Sequence, residues 1–195
     1  MPTLFTSLVA DVITLTKRPD LVDRTNFAVK AAVLKAHQSD DYIKDFNEAS
    51  IQFQAPDYYQ TLDYKAILPY WRKPRYIRKY DTAPGVFFKY LEPELVIDQY
   101  GVNRTDIFYV AGTNIQIRSS TILTYALLGY YNNPIVTPTG FSSWIADDHP
   151  LAIIYEAAAI VFKTIGFDEQ VAAYREMVKE ELMGLKMHAV TGIGM

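Results

Sequence analysis

The 195-residue sequence contains no cysteine. That excludes disulfides, thiolate nucleophiles and cysteine-held zinc, and leaves the redox compartment open. It also lacks a long apolar run: none reaches the roughly 18 residues of a membrane-spanning helix. The longest candidate, 151–165, is interrupted by Glu156 and Lys163. The first residues, Met1-Pro2-Thr3-Leu4-Phe5, carry no basic region of a secretory signal, so the expectation is a protein made and kept in a cytoplasm, with no membrane partner. Net charge is small, at -3. No overall basic field recruits nucleic acid or anionic lipid, although local basic patches stay open. Dinucleotide, Walker A, GxSxG and HExxH patterns are absent, as is a Ser/His/Asp signature, and no internal repeat is present.

What is present is core material. Half the residues are hydrophobic and 21% are charged, enough for a packed interior and unlike a disordered chain. Leu4, Leu8, Val12 and Leu15 repeat at helical spacing up to Lys17-Arg18, where Pro19 stops the helix. Asp20 is a candidate N-cap for a second helix lined by Leu21, Thr25, Ala28, Ala32 and Ala36. From Asp45 the period shortens to two: Ile51 and Phe53 alternate with polar neighbours, Pro56 breaks the run, and further strands are expected near 76–80, 86–91 and 121–131. Residues 93–100 suggest a short helix, and 107–118 a hairpin turning at Ala111-Gly112-Thr113. Asp148, Pro150 and Gly166 punctuate a third long helix, and Asp168 opens a fourth with Val171, Tyr174, Val178, Leu182 and Leu185 on one side.

The expected fold class is therefore α+β: a four-helix bundle from N- and C-terminal hairpins, residues 1–44 and 144–190, carrying a β-rich central insertion, 45–143, and ending in a flexible apolar tail, 191–195. The insertion would project from the helices as a platform.

No residue set announces a reaction. The three histidines, His37, His149 and His188, are scattered and read as capping or surface residues. Asp40, Asp41, Asp45 and Glu48 offer a carboxylate cluster for metal binding or glycoside hydrolysis, or simply a solvated junction. Asp147-Asp148 read as helix-start residues. The densest basic stretch is Trp71-Arg72-Lys73-Pro74-Arg75-Tyr76-Ile77-Arg78-Lys79-Tyr80. It suits a protein interface, a plain edge strand protected by its cations, or a surface for single-stranded nucleic acid. Twelve of the 15 tyrosines lie between Tyr58 and Tyr131. They suit a carbohydrate platform, a subunit interface or a half-buried sheet.

Four blocks carry a resemblance. Ser7 to Val12, Thr16 to Leu21 and Ala31 to Asp41 form the first; Tyr76 to Asp81 is the second; Gly129-Tyr130-Tyr131-Asn132-Asn133-Pro134 is the third; Ser143-Trp144-Ile145 with Pro150 to Gly166 is the fourth. In this order, over nearly the whole chain, the sequence resembles tailed-bacteriophage head-to-tail adaptor (head completion or neck) proteins. The resemblance implies a structural virion protein at the neck. Such a protein forms a homo-oligomeric ring, usually of twelve copies, under the portal protein and above a tail or tail-nozzle protein, with DNA passing through without sequence-specific binding. It implies portal docking by the C-terminal segment, here Leu185, Met187, Val190, Ile193 and Met195. Trp71, Arg75, Tyr76 and Arg78 are the candidates for ring or tail contacts. No catalytic residue, cofactor or metal is carried over. The alternatives are a peptidoglycan hydrolase using Asp40, Asp41, Asp45 or Glu48, and an aromatic carbohydrate- or nucleic-acid-binding module.

Overall fold

The computed structural model describes residues 3–80, 86–97, 104–137 and 140–191, without the side chains of 54, 55 and 187–191. The chain divides into two compact units: Met1–Asp45 with Asn133–Met195, and Phe46–Asn132.

The first unit is helical. Helix α1 (Phe5–Thr16) ends at Lys17, which takes a left-handed conformation at φ 54°. Its core face is Phe5, Leu8, Val9 and Val12, whereas Leu4 is 62% exposed. Pro19–Leu21 form a 3-10 turn rather than a capped helix start, and Asp20 pairs with Arg18 at 2.7 Å. Helix α2 (Val22–Gln38) buries Ala28, Val29, Ala32, Val33 and Ala36. The β6 (Ile135–Thr137) and β7 (Gly140–Ser142) hairpin and the short helix α4 (Trp144–Asp148) follow. Asp147 and Asp148 thus end a short helix instead of starting a long one; Asp148 accepts from Lys44 at 2.6 Å.

Helix α5 (Pro150–Thr164) organises this unit. Ala152, Ile153, Ile154, Ala157, Ala158, Ala159, Val161 and Phe162 are all buried on it, so almost every side of the helix meets protein. It packs against α1, α2, α4 and α6 (Asp168–Thr191). Full burial of one aliphatic side chain is worth about 1.5–3 kcal/mol, so α5 is the main source of cohesion here. Its exit is a Schellman closure. Gly166 sits at φ 79°, the Phe167 N–H donates to the Phe162 carbonyl at 3.1 Å, and the two phenyl rings meet edge to face at 6.2 Å.

The second unit is β-rich. Strand β1 (Phe46–Asp63) runs antiparallel along β5 (Asn114–Asn132). At about 3.4 Å per residue β5 is on the order of 60 Å long, so one of its edges serves two partners. Its first residues pair with β4 (Ile107–Ala111), its last with β2 (Trp71–Lys79). Strand β3 (Phe87–Tyr90) pairs antiparallel with β2 and parallel with β4. The circuit β5–β2–β3–β4–β5 is closed, a four-strand barrel with β1 added outside it. Ile77, Ile115, Ile117 and Leu128, each at most 1% exposed, form the core of this unit with Phe53, Phe88 and Phe108.

The expected four-helix bundle with an inserted β region is therefore corrected: the protein is mixed α/β, with a closed barrel and, among the described residues, six α-helices, counting the single turn α3 (Tyr64–Ile67) that follows β1. Two physical reasons account for it. Helix α5 is apolar nearly all round, which makes it a central helix and not one of four equivalent amphipathic ones. Four of the β strands close on themselves, which leaves β1 as the edge strand instead of an open platform. Pro56 does not break β1 in two; it lies in a stretch where the β1–β5 register shifts, between Gln52 and Tyr59. Of the described part of the expected 93–100 helix, Pro93–Leu95 form a 3-10 turn; 98–103 and the 81–85 loop lie outside the described residues. The expected flexible tail begins at Thr191, which closes α6, and 192–195 lie outside the described residues.

Among the described residues no helix is long and apolar enough to cross a membrane.

Candidate functional site

In the helical unit the polar side chains converge on His37, in the last turn of α2. Its Nδ1 lies 2.8 Å from one Asp45 carboxylate oxygen and 3.0 Å from the other, and its Nε2 lies 2.9 Å from Ser143 Oγ. The Trp144 indole N–H donates to Asp45 at 2.8 Å, and the Ala146 N–H donates to Ser143 Oγ at 3.1 Å. A carboxylate only accepts, so Nδ1 donates; with the ring neutral, Nε2 accepts the serine hydroxyl proton. Every donor in the chain Ala146–Ser143–His37–Asp45–Trp144 then has an acceptor.

This is the contact order of a Ser-His-Asp nucleophile, but the serine is spent. Ser143 is 4% exposed and caps α4, while His37 and Asp45 are 1% and 6% exposed. A nucleophile must present its oxygen to substrate. Here the group works as a clamp between chain segments 106 residues apart. Sequence reasoning missed it, reading His37 as a capping residue; the only local signal is Ser143 at an N-cap position before Trp144-Ile145-Ala146.

The carboxylate cluster of 40–48 does not assemble. Asp45 turns to His37, Asp40 pairs with Lys186 at 3.3 Å, and Glu48 belongs to the barrel unit. Among the described residues no group of three acidic or histidine side chains is placed to hold a metal ion.

Strand β2 carries the basic, aromatic stretch, with both buried and displayed positions. Trp71 is stacked between Tyr64 and Tyr130, with centroids 5.0 and 5.4 Å apart. Arg75 is exposed and lies over the Phe46 and Tyr131 rings, at 5.1 and 5.9 Å. Tyr76 stands opposite Gly129, where an added Cβ would come within 2.6 Å of the tyrosine ring; only glycine leaves room for that ring. The Tyr76 hydroxyl donates to Glu48 at 2.5 Å, and Arg78 pairs with the same carboxylate at 3.1 Å. The tyrosine hydrogen bond first, then Arg78, hold Glu48 below the usual carboxylate range. Burial first, then the Glu48 bond and charge, push the Tyr76 phenol up. Bulges at Trp71/Lys73 and Pro74/Tyr76 re-aim the side chains of this strand. Trp71, Arg75, Tyr76 and Arg78 thus share one strand in two settings: Arg75 is displayed, while Trp71, Tyr76 and Arg78 are half-buried and fixed by neighbours.

Inside the barrel, Lys79 is buried and paired with Asp106 at 2.8 Å. Burial pushes the Asp106 carboxyl up, but Lys79 and the Ser120 backbone and hydroxyl bonds outweigh it and hold the group below its ordinary value.

Of the C-terminal candidates, Leu185 is 1% exposed in the helical core. Met187 and Val190 lie on α6 with side chains outside the description, and Ile193 and Met195 lie outside the described residues.

A search of family models finds no match for this chain, and no curated protein matches it.

Proposed function

We propose that the chain is a structural virion protein, a ring-forming adaptor joining the portal to the tail and surrounding the DNA exit channel at the virion neck. One observation carries the reading. The blocks behind the resemblance pair off in space: His37 from the first with Ser143 and Trp144 from the fourth, and Tyr76 from the second against Gly129 from the third. Residues that look like an adaptor are therefore the ones that lock each unit, which is what a fold-defining set does. Support also comes from the use of the polar groups: His37, Asp45 and Ser143 serve packing, and Arg75 is displayed on an aromatic face suited to a protein contact.

In this reading the ring is a homo-oligomer, of twelve copies by the resemblance, and the segment after Leu185 docks on the portal, ordering as it binds. Negative-stain imaging of the purified protein mixed with its portal is expected to show a defined ring complex. A persistent monomer that binds no portal overturns the proposal. Deleting residues 186–195, which leaves Leu185 in the core, is expected to abolish portal binding; intact assembly removes the docking role.

A further inference from the structure

The closed barrel also carries a depression that the adaptor reading does not use. It measures about 310 Å³ and is lined by Tyr58, Tyr59, Arg104, Thr105, Arg118 and Ser119. The register shift between Asp57 and Tyr59 explains why two consecutive tyrosines reach it: in a regular strand they would point to opposite faces. Tyr58 and Tyr59 remain 53% and 41% exposed. The Tyr59 hydroxyl donates to Gln116, which fixes its ring, and the Arg118 guanidinium lies 5.2 Å from that ring.

The charge here is one-sided. Among the described residues neither Arg104 nor Arg118 has a carboxylate partner, and the Arg118 Nε–H is sealed from solvent without an acceptor. The two nearest acids in sequence are committed. Asp106 faces Lys79 and Ser120, and Asp57 accepts the Tyr58 N–H at 2.6 Å. The exposed Arg104 fork and the Nη end of Arg118, without counter-charge, fit phosphate oxygens, and exposed tyrosine faces fit flat rings.

We propose that this depression binds a nucleotide, with the phosphate on Arg104 and Arg118 and the base against Tyr58 and Tyr59. The nucleotide is either free or one unit of a single strand; both share this chemistry. An acidic peptide would satisfy the arginines but leave the ring faces without a planar partner.

Fluorescence anisotropy of labelled (dT)8 with the whole protein tests it, with dTMP, inorganic phosphate and an octaglutamate peptide as competitors. Saturable binding is expected. Arg104→Gln and Arg118→Gln should each weaken it about tenfold and flatten the log K against log salt slope by about 0.7. Tyr58→Ala should cost about fivefold or more, whereas Lys179→Gln on α6 should change nothing. Competition by dTMP as effective as unlabelled (dT)8 assigns the site to free nucleotides; much weaker competition assigns it to a strand. The proposal is overturned if (dT)8 and dTMP both fail to bind. It is also overturned if both arginine variants bind as the wild type does, or if phosphate or octaglutamate displaces the probe as well as dTMP. Arg104 is exposed, so its variant tests the site even should Arg118→Gln unfold the barrel.

Discussion

The two units handle polarity in different proportions. The helical unit takes polar side chains inside and satisfies them there, as with His37, Asp45 and Ser143. The barrel keeps a core dominated by isoleucine, leucine and phenylalanine, with Lys79 as its buried cation, and sets several other cations over aromatic rings, as with Arg75 over Phe46 and Arg118 over Tyr59. Composition follows: the barrel residues 46–132 hold nine Lys or Arg against eight Asp or Glu, and the remainder ten against fourteen. The lesson is that the modest overall charge of -3 is a sum of two unlike surfaces. A whole-chain charge argument against polyanion binding does not reach a single face.

The sharpest way to break the contrast is to empty the helical clamp. Asp45→Ala leaves the buried His37 Nδ1–H and the half-buried Trp144 indole N–H without their shared acceptor, and should destabilise the protein by about 2–4 kcal/mol in urea unfolding. A loss below about 1 kcal/mol would mean the clamp is ornamental. Gly129→Ala on the barrel comes next. The methyl group collides with a tyrosine ring that its Glu48 bond keeps from swinging away, so the expected cost is about 1–3 kcal/mol, with the Tyr76–Glu48 bond broken. An unchanged midpoint, together with a tyrosine phenol that titrates as before, would show that the ring shifts freely.

The smallest effect is electrostatic, since both carboxylates concerned are about one-third exposed and screened by solvent. Asp106 and Glu48 have folded values below their unfolded ones of roughly 3.9 and 4.3. Their stabilisation is thus fully present above those unfolded values and is lost as pH falls through the lowered folded ones. Denaturation midpoints followed from pH 6 down to pH 2 should fall less steeply in an Asp106→Asn, Glu48→Gln double variant than in the wild type. Parallel curves would remove the two groups from the acid response.

Local grammar was legible in the sequence. The stop of α1 at Lys17 before Pro19, the Pro150 start and Gly166 exit of α5, and the Ala111 to Asn114 turn each rest on a few neighbouring residues. Closure was not. It depends on β4 and β2 meeting the same edge of β5, and alternation in each strand is the same whether a sheet is open or closed. The candidate site was legible only in part. The basic, aromatic strand was recognisable as a surface, but Leu185 was read as a docking residue although helical spacing already placed it on the buried side of α6. His37, Asp45 and Ser143 carry no spacing rule, because folding alone brings them together. Nor does any pattern foretell that a bulge will set Tyr58 beside Tyr59.

Strand β5 has a kinetic consequence. It pairs with β1, β2 and β4, and β3 closes the ring between the last two, so none of the four ring strands can peel away while the barrel stays shut. Amide exchange in the ring strands β2 to β5 should therefore report one opening event, whereas β1, held on one edge only, can fray by itself. The strands that meet are far apart in sequence, with β2 closing on the end of β5 and Phe46 of β1 facing Tyr131, so that event is also slow to reverse. A barrel built on one shared stave is a catch that opens all at once and closes late.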